Sequence, residues 1–497
     1  MADWNLTTQA DAPEVGQVER SAAWLLVTCD ELRGAAWREL PHGELLKARG
    51  RRRGASAANG LLVTDLPNAR GTRVVQLTLK RGLSAYERLS AARRAAAEIL
   101  QCKAREVVVS SAGFAATETA AVLEAMVAAL LAQLAILPSR KREAVTAPRL
   151  KRIRVCGVSG DWDALRPQAE AAGNALARAL SILPANELTP GSYRERVKLM
   201  AHQHGWRYDF LDHAALARRK AGAFLAVVQG SDQSDAGILH LRYQPPRTRG
   251  RAALALVGKG ICFDTGGVNL KSAKHMLGMH EDMQGSAVAL GTLLALTELE
   301  VEFPIDCWLA LAQNQIGPRA YKPNDVVYAL DGTSIEIIHT DAEGRMVLAD
   351  TLTLASQRKP GLIIDYATLT GSCIDALGKN YSGVFTNRDA LHGMLIEAGR
   401  ASGERVWPFP QDEDYDRALD STIADIRQCA ADNEADHILA ARFLRRFVKH
   451  GVPWVHLDLS ACSVKGGLAH IPTDTTGFGV RYSLNLLLEQ KVLEWLG

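Results

Sequence analysis

The sequence has no cysteine pattern that declares a role. Its eight cysteines, at positions 29, 102, 156, 262, 307, 373, 429 and 462, form no CxxC pair, which argues against zinc-finger and thiol-redox readings. Several sit in apolar runs such as "IRVCGV" and "IDCWLAL" and read as buried reduced thiols, in keeping with a reducing compartment. An excess of one charge is also missing. Lys and Arg total 58 against 55 Asp and Glu, a net +3, too small to imply nucleic acid or membrane as partner. The opening "MADWNLTTQADAPEVGQVER" lacks the basic-then-apolar order of a secretory leader. The longest apolar stretch, "AAVLEAMVAALLAQLAIL", carries Glu124 and Gln133 and reads as a buried helix rather than a membrane span. A cytoplasmic protein with no membrane partner is expected. There is no internal repeat.

What is present suggests a large globular protein. With 497 residues, 47% hydrophobic and 23% charged, two or more domains with real cores are expected. In the first third, strand-like runs ("AAWLLVTC", "GLLVTDL", "TRVVQLTL", "REVVVSS", "LKRIRVCGV") alternate with helix-like ones ("SAYERLSAARRAAAEILQ", "ATETAAVLEAMVAALLAQL"), the pattern of an α/β layer. "KARGRRRGASAANG", Lys47 to Gly60, reads as a solvated Arg- and Gly-rich loop. A phosphate or nucleic-acid patch is the alternative, though no aromatic is interleaved there to stack on bases. Helical spacing from about Leu165 to Leu183, stopped by Pro184, predicts a long helix between domains. The expected division is an N-terminal α/β domain over 1–160, a linking helix over 161–184, and a larger α/β domain over 185–497. In the last, "AALALVGKG", "PIDCWLALA", "GLIIDYATL" and "PWVHLDLSA" read as strands of a sheet covered on both faces. Sites in such sheets form at the strands' carboxyl ends.

Charge gathers at those ends. "VGKGICFDTGGVNLK" brings Lys259, Asp264 and Lys271; "MHEDMQGSAVALG" brings Asp282; "IIHTDAEGRMVLADTL" brings Asp341, Glu343 and Arg345. Each residue has an ordinary explanation alone. Asp282 could cap a helix, Lys259 could be a loop lysine, and Asp264 could start a turn. Asp341 and Glu343, at i and i+2, would point the same way from an extended chain. Together, four carboxylates beside apolar elements and glycines cannot all stay ionised without cations. Carboxylate-rich ligation suits Mn²⁺, Mg²⁺ or Zn²⁺, and two-metal sites serve phosphatases, nucleases and aminopeptidases alike.

The segments "VGKGICFDTGG", "EDMQGSA", "HTDAEGRMVLADTL" and "DYATLTGSC" resemble, in order and spacing, the signatures of the cytosol leucyl aminopeptidase family. "LPANELTP", "GAFLAVVQGSD" and "PWVHLDLSA" with "TGFGVR" look like its framework segments, so the resemblance runs from about Leu183 to the C-terminus. It implies a smaller N-terminal α/β domain, a long helix, and a C-terminal α/β catalytic domain with a mixed central sheet flanked by helices. It also implies a homohexameric exopeptidase that removes the N-terminal residue of peptides with a free amine, using two divalent ions (Mn²⁺ or Zn²⁺). Lys259, Asp264, Asp282 and Glu343 match the ligands of one metal; Asp264, Asp341 and Glu343 match those of the other. Lys271 and Arg345 match the catalytic residues, Arg345 as the holder of a bicarbonate. Lys259 could coordinate only as a neutral amine, which calls for a depressed pKa. Met279 and Thr368 match side-pocket positions.

The sequence departs from the family pattern in places. His339 stands where Asn is usual, Gln284 follows "DM", and Gln313 and Asn324 replace Glu and Gly. "NEADHILAARF" lacks paired glycines, and "SACS" (460–463) could make the pocket more polar. None removes a matched ligand. The competing expectation is a family-fold protein with a binding or regulatory role, taking nucleic acid through its N-terminal domain. A two-metal phosphoesterase is disfavoured by the motif order and by the lack of clustered His ligands.

Overall fold

Residues 4–53, 60–143, 148–158, 162–231, 235–432 and 434–497 are described by a computed structural model of the chain. Each apolar run read as a strand is one, and the fold is mixed α/β. The chain divides into two compact units. The first comprises residues 1–171, 400–403 and 465–474; the second comprises 172–399, 404–464 and 475–497.

The first unit is built on a six-stranded sheet. Its strands are β1 (Asn5–Gln9), β2 (Ala23–Cys29), β3 (Leu61–Asp65), β4 (Arg73–Leu79), β5 (Glu106–Ala112) and β6 (Arg152–Cys156). They lie in the order β1-β6-β5-β2-β4-β3, parallel except for the β3–β4 pair. The central strand β2 is buried along its whole length. Its side chains alternate between two cores. Leu25 and Val27 pack with the helices Ala85–Leu100 and Ala116–Leu134, and Trp24 and Leu26 pack with Val18 and Trp37. The helix Ala116–Leu134 is long and apolar enough to cross a membrane. Residues from Val122 to Leu134 supply much of this core, which accounts for its apolarity.

The structure corrects one reading here. Lys47 to Arg53 are not loop but the end of a helix, Gly43–Arg53. Arg, Lys and Ala are good helix formers, and a polar composition is no bar to a helix on the surface. Residues 54–59 of the same stretch lie outside the described residues.

The second unit holds an eight-stranded sheet of β7 (Arg207–Asp212), β8 (Gly237–Tyr243), β9 (Leu254–Asp264), β10 (Ile305–Asn314), β13 (Leu362–Ala367), β14 (Ser382–Thr386), β15 (Val406–Pro408) and β17 (Trp454–Asp458). A small sheet joins β11 (Val326–Tyr328), β12 (Ser334–Glu336) and β16 (Ile426–Arg427). The large sheet runs β15-β14-β17-β13-β9-β10-β8-β7. Its middle strands β17, β13, β9 and β10 are parallel, and antiparallel pairings with β14 and β8 flank them. Four carboxyl ends therefore open on one edge.

Helices cover both faces of this sheet. Glu343–Gln357 packs against the face carrying Val257 and Ile261. Gln284–Glu298 lies on the opposite face, at Gly258. A Cβ on Gly258 would stand 2.4 Å from the Ser286 Cα, so only glycine admits the helix this close.

Candidate metal centre

A register fault in β9 aims the site. Ile261 pairs with Ala312, but the next pair is Asp264 with Asn314. Strand β9 thus carries one residue more than β10 over this step. In a regular strand Lys259 and Asp264 would face opposite sides of the sheet. The extra residue reverses the alternation, as a bulge does, and brings Asp264 round to the side of Lys259.

Lys259 is buried, with its Nζ 2.8 Å from Asp282 Oδ1 and 3.0 Å from Glu343 Oε1. Nζ also donates to the Thr368 carbonyl at 2.9 Å. The Thr368 hydroxyl donates to Asp282 Oδ1 at 2.6 Å. Asp264 is likewise buried. Its Oδ1 accepts from the Gly266 amide and from Asn314 Nδ2, at 2.9 and 2.8 Å, and its Oδ2 lies 2.9 Å from Lys271 Nζ. That same ammonium reaches Asp341 Oδ1 at 2.5 Å. Oxygens of Asp264, Asp341 and Glu343 all come within 4.8 Å of one another.

Two local readings change. Asp282 does not cap the helix Gln284–Glu298, whose N-cap is Met283; it follows the short helical turn Met279–Glu281 and is spent on Lys259. Nor do Asp341 and Glu343 project from an extended strand. Asp341 lies in a turn, and Glu343 opens the helix Glu343–Gln357, where the helix dipole favours a carboxylate. The chain turns between them, so their convergence comes from the turn rather than from strand alternation.

The electrostatics show strain of one sign. Burial, followed by repulsion from Asp264, raises the pKa of Glu343 and Asp341, and burial raises that of Asp282. Burial alone would lower the Lys259 and Lys271 ammoniums, but the surrounding carboxylates outweigh it and hold both above the ordinary lysine value. The depressed Lys259 pKa expected for a ligand is thus absent while the carboxylates are its only counter-charges. A dication among them would reverse that balance.

A sequence profile described as the cytosol aminopeptidase family, catalytic domain, matches residues 175–484. The chain belongs to the cytosol aminopeptidase family. Among curated relatives, a probable cytosol aminopeptidase of Wolbachia pipientis wMel is 40% identical over 319 residues, 63% of each chain. One of Stutzerimonas stutzeri is 43% identical over 298 residues, 60% of this chain and 59% of the relative. These matches thus span less than two thirds of either relative's length. Among solved structures, a mutant of tomato leucine aminopeptidase superposes with TM-score 0.85 at 28% identity, covering 98% of this chain and 97% of its own. The bottromycin maturation enzyme BotP in complex with Mn gives 0.81 at 30% identity, covering 95% and 100%.

In this family member the donor set fits divalent cations. Four carboxyl groups (Asp264, Asp282, Asp341, Glu343) face two ammoniums (Lys259, Lys271), leaving negative charge in excess. Asp282 Oδ2 and Glu343 Oε2 are buried without a hydrogen-bond partner among the described residues. Buried carboxylate oxygens left bare are costly, and a cation would satisfy them.

Several supporting residues escaped the sequence reading. Asn314 ties Asp264 to the Thr340 carbonyl at 3.0 Å, and Tyr321 donates to that carbonyl at 2.8 Å. Gln428 staples the loop before Asp341: its Oε1 accepts from the Ile338 and His339 amides, and its Nε2 donates to the Ala342 carbonyl. Buried polar side chains at strand ends were the available signal, but nothing in sequence distinguishes them from core amides.

Arg345 stands apart from the carboxylate group. Its Nη2 donates to Asp436 Oδ1 at 2.7 Å and its Nη1 to the Gln428 carbonyl at 3.2 Å. Met279 is half-buried on its helical turn. Thr368, placed as a pocket residue by resemblance, also orients Asp282 and Lys259. In "SACS", the Ser460 hydroxyl donates to the Tyr381 carbonyl at 2.9 Å and so is already engaged. His339 is exposed; its Nδ1 accepts from the Asp341 amide at 3.2 Å.

Proposed function

We propose that the chain is a metal-dependent aminopeptidase that releases the N-terminal residue from peptides with a free α-amine. The observation that carries this reading is the convergence of Asp264, Asp341 and Glu343 within 4.8 Å beside the buried Lys259–Asp282 pair, in a member of the cytosol aminopeptidase family.

Lys259, Asp264, Asp282 and Glu343 would hold one divalent ion, and Asp264, Asp341 and Glu343 a second. When bound, such a pair would supply a water acidic enough to ionise near neutral pH. Mn²⁺ and Zn²⁺ both suit these donors, and the Mn complex of BotP supports Mn²⁺. The rest falls to the chain's own groups. Lys271 stays charged between Asp264 and Asp341 and partly open to solvent, placed to donate to the scissile carbonyl oxygen as negative charge develops there. Thr368 and Asn314 fix the carboxylates. Arg345, buried and paired with Asp436, would be the second catalytic cation, as the family resemblance implies. Met279 and Thr368 would line the side-chain pocket. A cytoplasmic homohexamer is the assembly the family resemblance supports.

The test is an aminoacyl p-nitroanilide panel with metal-stripped and Mn²⁺- or Zn²⁺-loaded protein, with Glu343→Gln as control. Loaded wild type should be active and the control inactive. Equal inactivity of the two across the panel would refute the peptidase reading. Cleavage of blocked N-termini as fast as free ones would refute the role of the α-amine.

A further inference from the structure

The first unit carries a cleft of about 360 Å³, within the range that holds small organic ligands. None of the metal-centre residues belongs to this unit. The cleft lies at the amino ends of β2 and β5, where Ala23 pairs with Val107, the end of a parallel sheet opposite to the one where sites usually form. Ala23 is too small to fill the space beside it. Buried Ile99, Val107 and Leu150 form the walls, and exposed Lys103 and Arg149 stand at the rim. The ten lining residues include no carboxylate and no aromatic ring. An apolar hollow left unfilled costs stability, because its walls forgo packing contacts.

Two helices end at this cleft, Ala85–Leu100 and Ala116–Leu134. The carbonyl end of a helix attracts cations, which is the ordinary reason for basic residues in such a place. The carbonyls just before Lys103 are already taken, however. That of Ile99 accepts from the Cys102 amide at 3.3 Å and from its thiol at 2.8 Å, and that of Leu100 accepts from the Lys103 amide at 3.1 Å. Neither Lys103 nor Arg149 makes an ion pair with a described residue. Two positive charges thus stand over apolar walls without a counter-charge.

We propose that this cleft binds a free aliphatic carboxylate of medium chain length. The alkyl chain lies against Ile99, Val107 and Leu150, and the carboxylate sits between Lys103 and Arg149, where charge-assisted hydrogen bonds hold it. Other small ligands match only part of the lining. A free amino acid brings an ammonium that meets no acidic group. A nucleotide brings a base that finds no ring to stack on. Inorganic phosphate answers the two cations and leaves the walls bare. An alcohol of the same length covers the walls and leaves the cations unmatched. The amphipathic monoanion meets both halves. Binding here is independent of the aminopeptidase reading above.

The test is calorimetric titration of the full-length protein with octanoate, with hexanoate, 1-octanol, leucine and inorganic phosphate as comparators. Octanoate should bind saturably, one per chain, and affinity should rise about two- to fourfold with each methylene from hexanoate to octanoate. 1-Octanol, leucine and phosphate should each bind at least about tenfold more weakly than octanoate, for want of the charged hydrogen bonds or of the apolar contact. Lys103→Gln/Arg149→Gln changes two exposed side chains. It should lower octanoate affinity about tenfold and leave that of 1-octanol where it was. Ala104→Phe fills the cleft from its lining and should abolish binding of both; if that variant fails to fold, the double glutamine variant decides. No saturable octanoate binding at millimolar concentration would overturn the proposal. So would 1-octanol or phosphate binding as tightly as octanoate, or octanoate affinity unchanged in Lys103→Gln/Arg149→Gln.

Discussion

The Thr368 hydroxyl donates to Asp282 Oδ1 across 2.6 Å, on the same oxygen that faces the Lys259 ammonium. A backbone position just past the end of β13 thus sets the orientation of a carboxylate supplied by a different loop. Thr368→Val keeps the shape and the carbonyl that Lys259 uses, and deletes only this donor. Metal affinity measured by calorimetric titration should fall by about 10- to 100-fold, the usual cost of losing a hydrogen bond behind a ligand, with the melting temperature nearly unchanged. Unaltered affinity would mean that Asp282 needs no such support.

Gly344 lies between two charged neighbours on the helix Glu343–Gln357. A Cβ there would come 2.7 Å from Lys259 Cε and 2.8 Å from its Nζ. The obstacle is the end of a flexible side chain, so the fold can absorb Gly344→Ala by moving that side chain. The moved atom is the one at issue. We expect a folded protein by circular dichroism whose metal affinity has dropped at least about tenfold. Aggregation or unfolding would show that the clash reaches the backbone.

His339 holds the turn before Asp341 by accepting the Asp341 amide on Nδ1. An asparagine can offer its side-chain oxygen to the amide two residues on in the same way, as in an Asx-turn. His339→Asn should therefore keep kcat/KM within about threefold of wild type. His339→Ala should lose more, in line with one hydrogen bond of about 1 kcal/mol. If both substitutions cost the same, the ring has another task.

His456 carries a pH dependence in the core. Its Nδ1 lies 2.6 Å from Asp365 Oδ1, and the Trp454 indole donates to the other oxygen at 2.5 Å. Burial would lower this histidine's pKa, but Asp365, with help from Asp458, outweighs it and raises the value above the ordinary range. A raised folded-state pKa adds stability that is complete below the unfolded value of about 6.5 and is lost as pH rises through the folded value. Melting temperature should fall as pH rises above that point, and His456→Asn should flatten the slope. The substitution also leaves Asp365 with a weaker partner, at a cost of about 3–5 kcal/mol below neutral pH. A wild-type slope retained in the variant would assign it elsewhere.

Much of this protein was legible in its sequence because it rests on local rules. The apolar runs that became β9, β10, β13 and β17 and the helices Gln284–Glu298 and Glu343–Gln357 follow from hydrophobic period and glycine placement, whereas the roles of the charged residues beside them come from the family resemblance. The burial expected of the cysteines in apolar runs matches the buried Cys156 and Cys307. Arg-rich polarity misled at Lys47 to Arg53, because composition reports solvent exposure rather than backbone shape.

Tertiary structure decided how the site converges. By sequence Lys259 is as readily a loop lysine among glycines, but β9 continues through Asp264, and on one strand their parity would put the two on opposite faces. Only pairing with β10 reveals the extra residue that turns Asp264 round. Sequence placed Asp341 and Glu343 two apart, but a turn rather than a strand brings them together. Asp436 lies 91 positions from Arg345, and no local pattern couples them. Hydrophobic period is a property of neighbours along the chain. Which charge meets which depends on strand register and loop closure, and these are fixed only when distant segments pack.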